Sequence, residues 1–166
     1  PDVAALEKTL RFLAGRHENL RTLYPREDGE VRPRLAATPF AMEFMDAAGD
    51  PEDDPAAEER ALSRMRALAR QPFDLSQEPP FRALYVKTAE KEGLFALVFH
   101  HIAIDGHGFG VLRREMAEAY QAFCQGRSPE FPQSLLRPGD YGAWMQARLD
   151  SGDMAEDLQW WRSRLA

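Results

Sequence analysis

The sequence predicts an α/β protein, a mixed sheet with flanking helices packed as an α+β sandwich. Three observations carry that prediction. Residues 94–99 are apolar throughout, as in a strand buried on both faces. Phe109, Leu112, Met116, Tyr120 and Phe123 then recur at spacings of three and four, the apolar stripe of an amphipathic helix. Residues 82–87 alternate as a strand should, and Glu90-Lys91-Glu92-Gly93 turns them into the apolar run. The two strands are expected to pair as an antiparallel hairpin, with the second central to the sheet.

The remaining elements follow in chain order. Val3, Leu6, Leu10 and Leu13 mark a first helix. On the plainest reading His17 continues its apolar side, while Arg16 and Glu18 are exposed. Glu27-Asp28-Gly29-Glu30 is a turn signal between residues 22–24 and 31–35, and Pro33 confines that hairpin to an edge. Residues 42–45 suggest another strand, and the acidic stretch 46–55, broken by Gly49, Pro51 and Pro55, an exposed loop. Ala57, Ala61, Met65 and Leu68 mark a helix that ends before Pro72. Its Arg60, Arg64, Arg66 and Arg70, interleaved with Glu58 and Glu59, read as a solvated face. Residues 72–80 wrap irregularly and pack Phe73 and Leu75. Beyond a proline-containing loop at 126–138, helices are expected at about 141–149 and along Met154, Leu158, Trp161 and Leu165. Trp144 and Trp161 are expected to pack in a core.

With 166 residues, 44% hydrophobic and 29% charged, the composition suits one soluble globular domain. No run approaches the roughly 18–20 apolar residues that span a bilayer, and Pro1-Asp2-Val3 leads into a charged helix rather than a signal peptide. A single cysteine, Cys124, excludes an internal disulfide and fits a reducing cytoplasm. A net charge of −6 argues against nucleic acid, which calls for a basic face. Neither a membrane nor a nucleic acid is therefore an expected partner.

The chemistry concentrates at His100-His101-Ile102-Ala103-Ile104-Asp105-Gly106-His107-Gly108, where the apolar strand meets the helix. Successive strand side chains point to opposite faces, so His100 and His101 cannot share one task. Imidazole titrates near neutrality, which suits the cleft-facing ring to proton handling. Asp105 can orient a histidine, or pair with an arginine and hold the turn. The glycines leave backbone N–H groups open at a helix start, where an anionic oxygen can sit. Metal binding through His100, His101, Asp105 and His107 is disfavoured, because zinc wants converging ligands and adjacent strand positions diverge.

His100-His101-x-x-x-Asp105-Gly106 resembles the HHxxxDG signature of non-ribosomal peptide synthetase condensation domains. Residues Arg16-His17-Glu18-Asn19-Leu20-Arg21-Thr22 are similar to that family's RHExLRT segment, and Pro72-Phe73-Asp74-Leu75 to its PFDL segment. Tyr141-x-x-Trp144 and Trp160-Trp161-Arg162 resemble the tract closing its first half. The resemblance implies a chloramphenicol-acetyltransferase-like lobe. Residues 1–166 would be the N-terminal subdomain, without its first strand and helix and without the C-terminal lobe.

The implied reaction is amide formation between two thioesters carried on the phosphopantetheine arms of upstream and downstream peptidyl carrier proteins. No cofactor is bound by the domain itself. Its partners would include the C-terminal lobe and an adjacent adenylation domain. By position in the motif His101 is the catalytic residue, His100 supports it, Asp105 is structural and Gly106 gives room. Arg16 or Arg21 would pair with Asp105. An acyltransferase using a coenzyme A thioester, an epimerization domain and a non-catalytic docking platform are the alternatives.

Overall fold

The computed structural model describes residues 1–37, 40–48, 56–132 and 136–166. It divides into two compact units, residues 1–130 and 131–166.

The first unit is built on a strand buried on both faces. β1 (Thr22–Leu23) pairs antiparallel with β4 (Arg34–Leu35), and β2 (Arg26–Glu27) with β3 (Glu30–Val31). Asp28 and Gly29 close the tight turn at φ 53° and 84°, the left-handed geometry a two-residue hairpin needs. The main sheet orders β5 (Glu43–Asp46), β6 (Phe81–Lys87) and β7 (Gly93–Phe99). β5 runs parallel to β6, and β7 antiparallel to it, with Phe81 opposite Phe99 and Lys87 opposite Gly93. The expected hairpin is present, but β6 is the central strand and β7, half-buried along its length, lies at the edge. The expected burial of β7 on both faces is therefore not met: β6 takes the buried place, and β7, paired on one side only among the described residues, keeps each residue partly exposed.

β6 alternates between two cores. Phe81 and Ala83 join Leu10, Leu13, Leu20, Ala103 and Leu112, while Leu84 and Val86 join Ala47, Ala61 and Leu68. The first group draws Leu10 and Leu13 from α1 (Val3–Arg16), Leu112 from α3 (Gly106–Cys124), Leu20 from the turn after α1 and Ala103 from the turn before α3. The second draws Ala61 and Leu68 from α2 (Ala56–Arg70) and Ala47 from the end of β5. Asp2 caps α1 by accepting from the Ala5 N–H at 2.9 Å. Thr9, fully buried in α1, donates its hydroxyl to the Ala5 carbonyl at 2.8 Å, so that hydroxyl is satisfied.

α3 seats on a face that shares Leu112 and the half-buried Met116 with the expected stripe but is shifted toward its small residues. Leu112, Glu115, Ala119 and Ala122 are buried, and Phe109 is 48% exposed. Alanines let the two helices approach closely, and the larger Phe123 meets Phe12 edge-on at the side of the seam. On α2, Arg60 donates to the Ala47 carbonyl at 2.6 Å and Arg64 pairs with Glu43. Two of the four arginines assigned to solvent thus fasten the helix to β5 and its end. Of the expected acidic loop, residues 49–55 lie outside the described residues.

The second unit contains α4 (Pro138–Ser151) and α5 (Ala155–Leu165), joined through Gly152 at φ 83°. Neither helix has a buried residue. Trp144 and Trp161, expected in a core, are 51% and 54% exposed. Two short helices enclose too little volume to bury an indole, so Trp144 contacts Tyr141 at a tilt and lies under Arg148, and Trp161 meets Trp160 edge-on. No helix of the described residues is long and apolar enough to cross a membrane.

Gly93 carries a steric demand. A β-carbon there would lie 2.7 Å from the Val86 carbonyl oxygen and would collide with the Tyr85 ring. Gly93→Ala is therefore expected to destabilise the fold by about 1–3 kcal/mol, the range for overpacking, read as a lower urea midpoint. A parent-like midpoint would show that the β6–β7 turn relaxes freely.

Candidate functional site

The end of β7 delivers the two histidines after the strand has finished, in the turn that leads to α3. His100 is half-buried. Its backbone N–H donates to the Pro80 carbonyl at 2.9 Å, and its Nδ1 accepts from the Ile102 N–H at 3.1 Å. That acceptor role fixes the proton of the neutral ring on Nε2. The ring also meets Phe73 edge-on, and the Arg82 guanidinium lies 3.9 Å from the Phe73 centroid. Arg82 in turn grips Glu78 and the carbonyls of Gln71 and Pro72. The PFDL-like segment is thereby clamped against the first histidine.

His101 is exposed, with no ring hydrogen bond among the described residues. It lines a cleft of about 440 Å³ together with His17, Asn19, Asp105, Gly108 and Val111. A second cleft of about 460 Å³, beside the edge hairpin, presents Arg34, Glu43 and Arg82 but no histidine. The first is therefore the chemical candidate, despite its similar size.

Asp105 caps α3. Its carboxylate accepts from the Gly108 N–H at 2.7 Å, and the Asp105 carbonyl accepts from the Phe109 N–H at 2.9 Å. The Gly108 hydrogen bond, opposed by slight desolvation and aided by His107, holds the Asp105 carboxyl below its ordinary range. The helix start thus already holds the protein's own anion, where an open cradle for a reacting oxygen was expected. Gly108 is tight, since a β-carbon would sit 3.2 Å from Asp105 Oδ1 and 3.3 Å from Ile104 Cγ1. At Gly106 a β-carbon would meet no atom within 4 Å, so no neighbour among the described residues demands glycine there. His107 is exposed on the first turn.

The expected Arg16–Asp105 or Arg21–Asp105 pair is not formed. Arg16 binds Glu115 instead, Nε to Oε2 at 3.1 Å and Nη2 to Oε1 at 3.3 Å. Arg21 has its Nε buried with no partner among the described residues. Arg16 and His17 sit where α1 ends, His17 capping the helix with its N–H on the Leu13 carbonyl at 2.8 Å. That end faces the middle of α3, whereas the exposed Asp105 folds its carboxylate back onto the first turn of its own helix. His17 Nε2 lies 2.7 Å from Glu115 Oε2, so His17 is a polar anchor and not a continuation of the apolar side.

Sequence reasoning missed Glu115. The available signal was a lone acidic residue at helical spacing from Leu112 and Ala119, inside a buried face. Burial pushes its carboxyl up, but the hydrogen bonds and charges of Arg16 and His17 outweigh burial and hold it below the ordinary range. Among the described residues no cluster of His, Cys, Asp and Glu is placed to hold a metal ion.

The whole chain, residues 1–166, matches the family model for the condensation domain. The chain belongs to the condensation domain family. It is 36% identical to one of the linear gramicidin synthase proteins of Brevibacillus parabrevis, over 99% of this chain but 3% of that protein. It is 34% identical to the phosphinothricin tripeptide synthetase PhsC of Streptomyces viridochromogenes, over 97% of this chain and 15% of that protein. The chain thus spans a small part of each of these synthetases. Among solved structures, the X-domain in a complex with OxyB from teicoplanin biosynthesis superposes with a TM-score of 0.86 at 34% identity. That match covers all of this chain and 36% of the other. A mutant starter condensation domain of the rhizomide synthetase RzmA, in complex with C8-CoA, gives a TM-score of 0.67 at 27% identity. It covers 79% of this chain and 29% of the other. The α/β fold is that of condensation domains.

Because the folded Glu115 carboxyl titrates below its unfolded value of 4.5, its contribution is complete above pH 4.5 and is lost as pH falls through the folded value. Glu115→Gln should lower the melting temperature at pH 7 and flatten its decline as pH falls below 4.5, as read by circular dichroism. An unchanged acid profile would show that Glu115 does not carry that decline.

Proposed function

We propose that this chain is the histidine-bearing N-terminal lobe of a condensation domain that forms an amide bond between two carrier-bound thioesters. The acceptor amine attacks the donor thioester carbonyl. A carbon–nitrogen bond forms, the carbon–sulfur bond breaks, and the amine's proton ends on the released thiol. The observation that carries the reading is His101, whose ring has no hydrogen bond among the described residues and lines a cleft at the motif's turn, in a chain matched by the family along its whole length.

His101 is the catalytic residue in this reading. It acts on the amine, taking its proton or holding it for attack. Positioned proton transfer contributes roughly 10²–10⁴ in rate, and holding two tethered reactants together contributes up to about 7–11 kcal/mol. His100, clamped by Phe73, fixes the turn beneath it, and Asp105 fixes the start of α3. Arg16 supports the cleft through Glu115. Gly106 leaves space on the open side for substrate or for the C-terminal lobe. The partners are upstream and downstream peptidyl carrier proteins with their phosphopantetheine arms, the C-terminal lobe and an adjacent adenylation domain, in the cytoplasm. The domain binds no cofactor of its own.

Two further readings have specific support. The likeness to a starter condensation domain bound to C8-CoA favours an acyl-coenzyme A donor as the alternative substrate. The likeness to an X-domain in complex with OxyB favours a docking platform.

The test is amide formation by the complete domain with two loaded carrier proteins, beside His101→Ala. The variant is expected to lose about 10²–10⁴ in rate while remaining folded. Equal product from parent and variant would leave proximity as the source of rate and remove His101 from the chemistry. Product with octanoyl-coenzyme A in place of the donor carrier would favour the coenzyme A reading. No product, with carrier binding retained, would favour the docking platform.

A further inference from the structure

His17 lies in the segment that resembles the family's RHExLRT stretch, and it lines the same cleft as His101. Its Nε2 is 2.7 Å from Glu115 Oε2, and Arg16 occupies both oxygens of that carboxylate. An ionised carboxylate only accepts hydrogen bonds, so His17 Nε2 carries a proton and donates it. In the neutral ring, Nδ1 is then an acceptor. That nitrogen has no partner among the described residues and is not sealed from solvent. An imidazole locked at one nitrogen and open at the other is the arrangement by which a carboxylate orients a histidine toward a ligand. The helix cap fixes the backbone as well, through the His17 N–H on the Leu13 carbonyl.

Resting on the condensation reading above, we propose that His17 is a substrate-positioning residue, with Nδ1 accepting a hydrogen bond from the N–H of the incoming amine. Glu115 and Arg16 hold the ring in that tautomer. The cleft then grips the amine from two sides, with His17 setting where it sits and His101 handling its proton. This makes a specific demand on binding. Loss of the Nδ1 acceptor weakens capture of the acceptor more than it slows the chemistry.

Two amide side chains separate the roles of the two ring nitrogens. Glutamine places its amide where Nε2 stood and keeps a donor for Glu115, but offers nothing at Nδ1. Asparagine places its amide near Nδ1 and does not reach Glu115. The complete domain is assayed with a loaded donor carrier and the twenty aminoacyl-pantetheine thioesters as acceptors, and KM is read on the best of them.

His17→Gln is expected to raise that KM roughly tenfold, the value of one lost hydrogen bond, with kcat within about twofold and an unchanged melting temperature. His17→Asn is expected to melt earlier yet hold KM within about threefold of the parent. Parent-like kinetics in His17→Gln would overturn the assignment and leave His17 as a tie for Glu115 alone. If the glutamine variant does not fold, the asparagine variant decides: KM within threefold supports the assignment, and a larger rise overturns it. A parent that makes no amide from any acceptor sinks the condensation reading, and this inference with it. A working parent beside an unaffected His17→Gln sinks only this inference.

Discussion

A single carboxylate organises the seam on which the cleft depends. Glu115 is 8% exposed, in a seam otherwise packed mainly by alanine, leucine and the Phe12–Phe123 pair. Desolvating an unpaired carboxylate there would cost several kcal/mol, and apolar residues of similar volume would pack as well or better. What the carboxylate supplies is direction. Its two oxygens take three donors from Arg16 and His17 at fixed angles, and this sets both the register of α1 on α3 and the rotation of α1's last turn. An apolar contact tolerates sliding; this one does not. The residues that follow α1, including Asn19 and Leu20 on the cleft wall, inherit that placement.

The opposite wall has a different origin. β6 is buried on both faces and ties two cores together, so its position is set by packing. β7 is fixed to β6 by a register seven residues long, and β7's end hands over directly to His100. The cleft therefore joins a wall placed by side-chain volume to a wall placed by charge. Asp105 supplies the corner by capping the helix, its negative charge set against the positive end of α3's dipole.

Local signals in the sequence translated well into structure. The Asp28-Gly29 turn, α2 and the β6–β7 hairpin all rest on rules that act within a dozen residues. The place of the two histidines at the mouth of α3 was legible for the same reason. What failed was non-local. The resemblance pairs Asp105 with Arg16 or Arg21, yet the Asp105 carboxylate is satisfied by its own helix start three residues on, and the acceptor that claims Arg16 lies ninety-nine residues along the chain. Periodicity counted Phe109 as buried because it is large and apolar. The helix seats instead on Ala119 and Ala122, whose small size lets α1 approach.

The same contrast explains why Glu115 escaped notice while His101 did not. A histidine pair followed by aspartate and glycine is unusual wherever it occurs. A glutamate in Arg113-Arg114-Glu115-Met116 looks like ordinary helix surface, flanked by two exposed arginines. Only the position of α1 turns that residue inward, and only then do Arg16 and His17 acquire a reason to be adjacent. A motif read as a string assigns roles to its conspicuous members. Here the RHExLRT-like segment gains its geometry from a residue outside every motif, and the cleft's second imidazole is oriented by a side chain from the middle of α3.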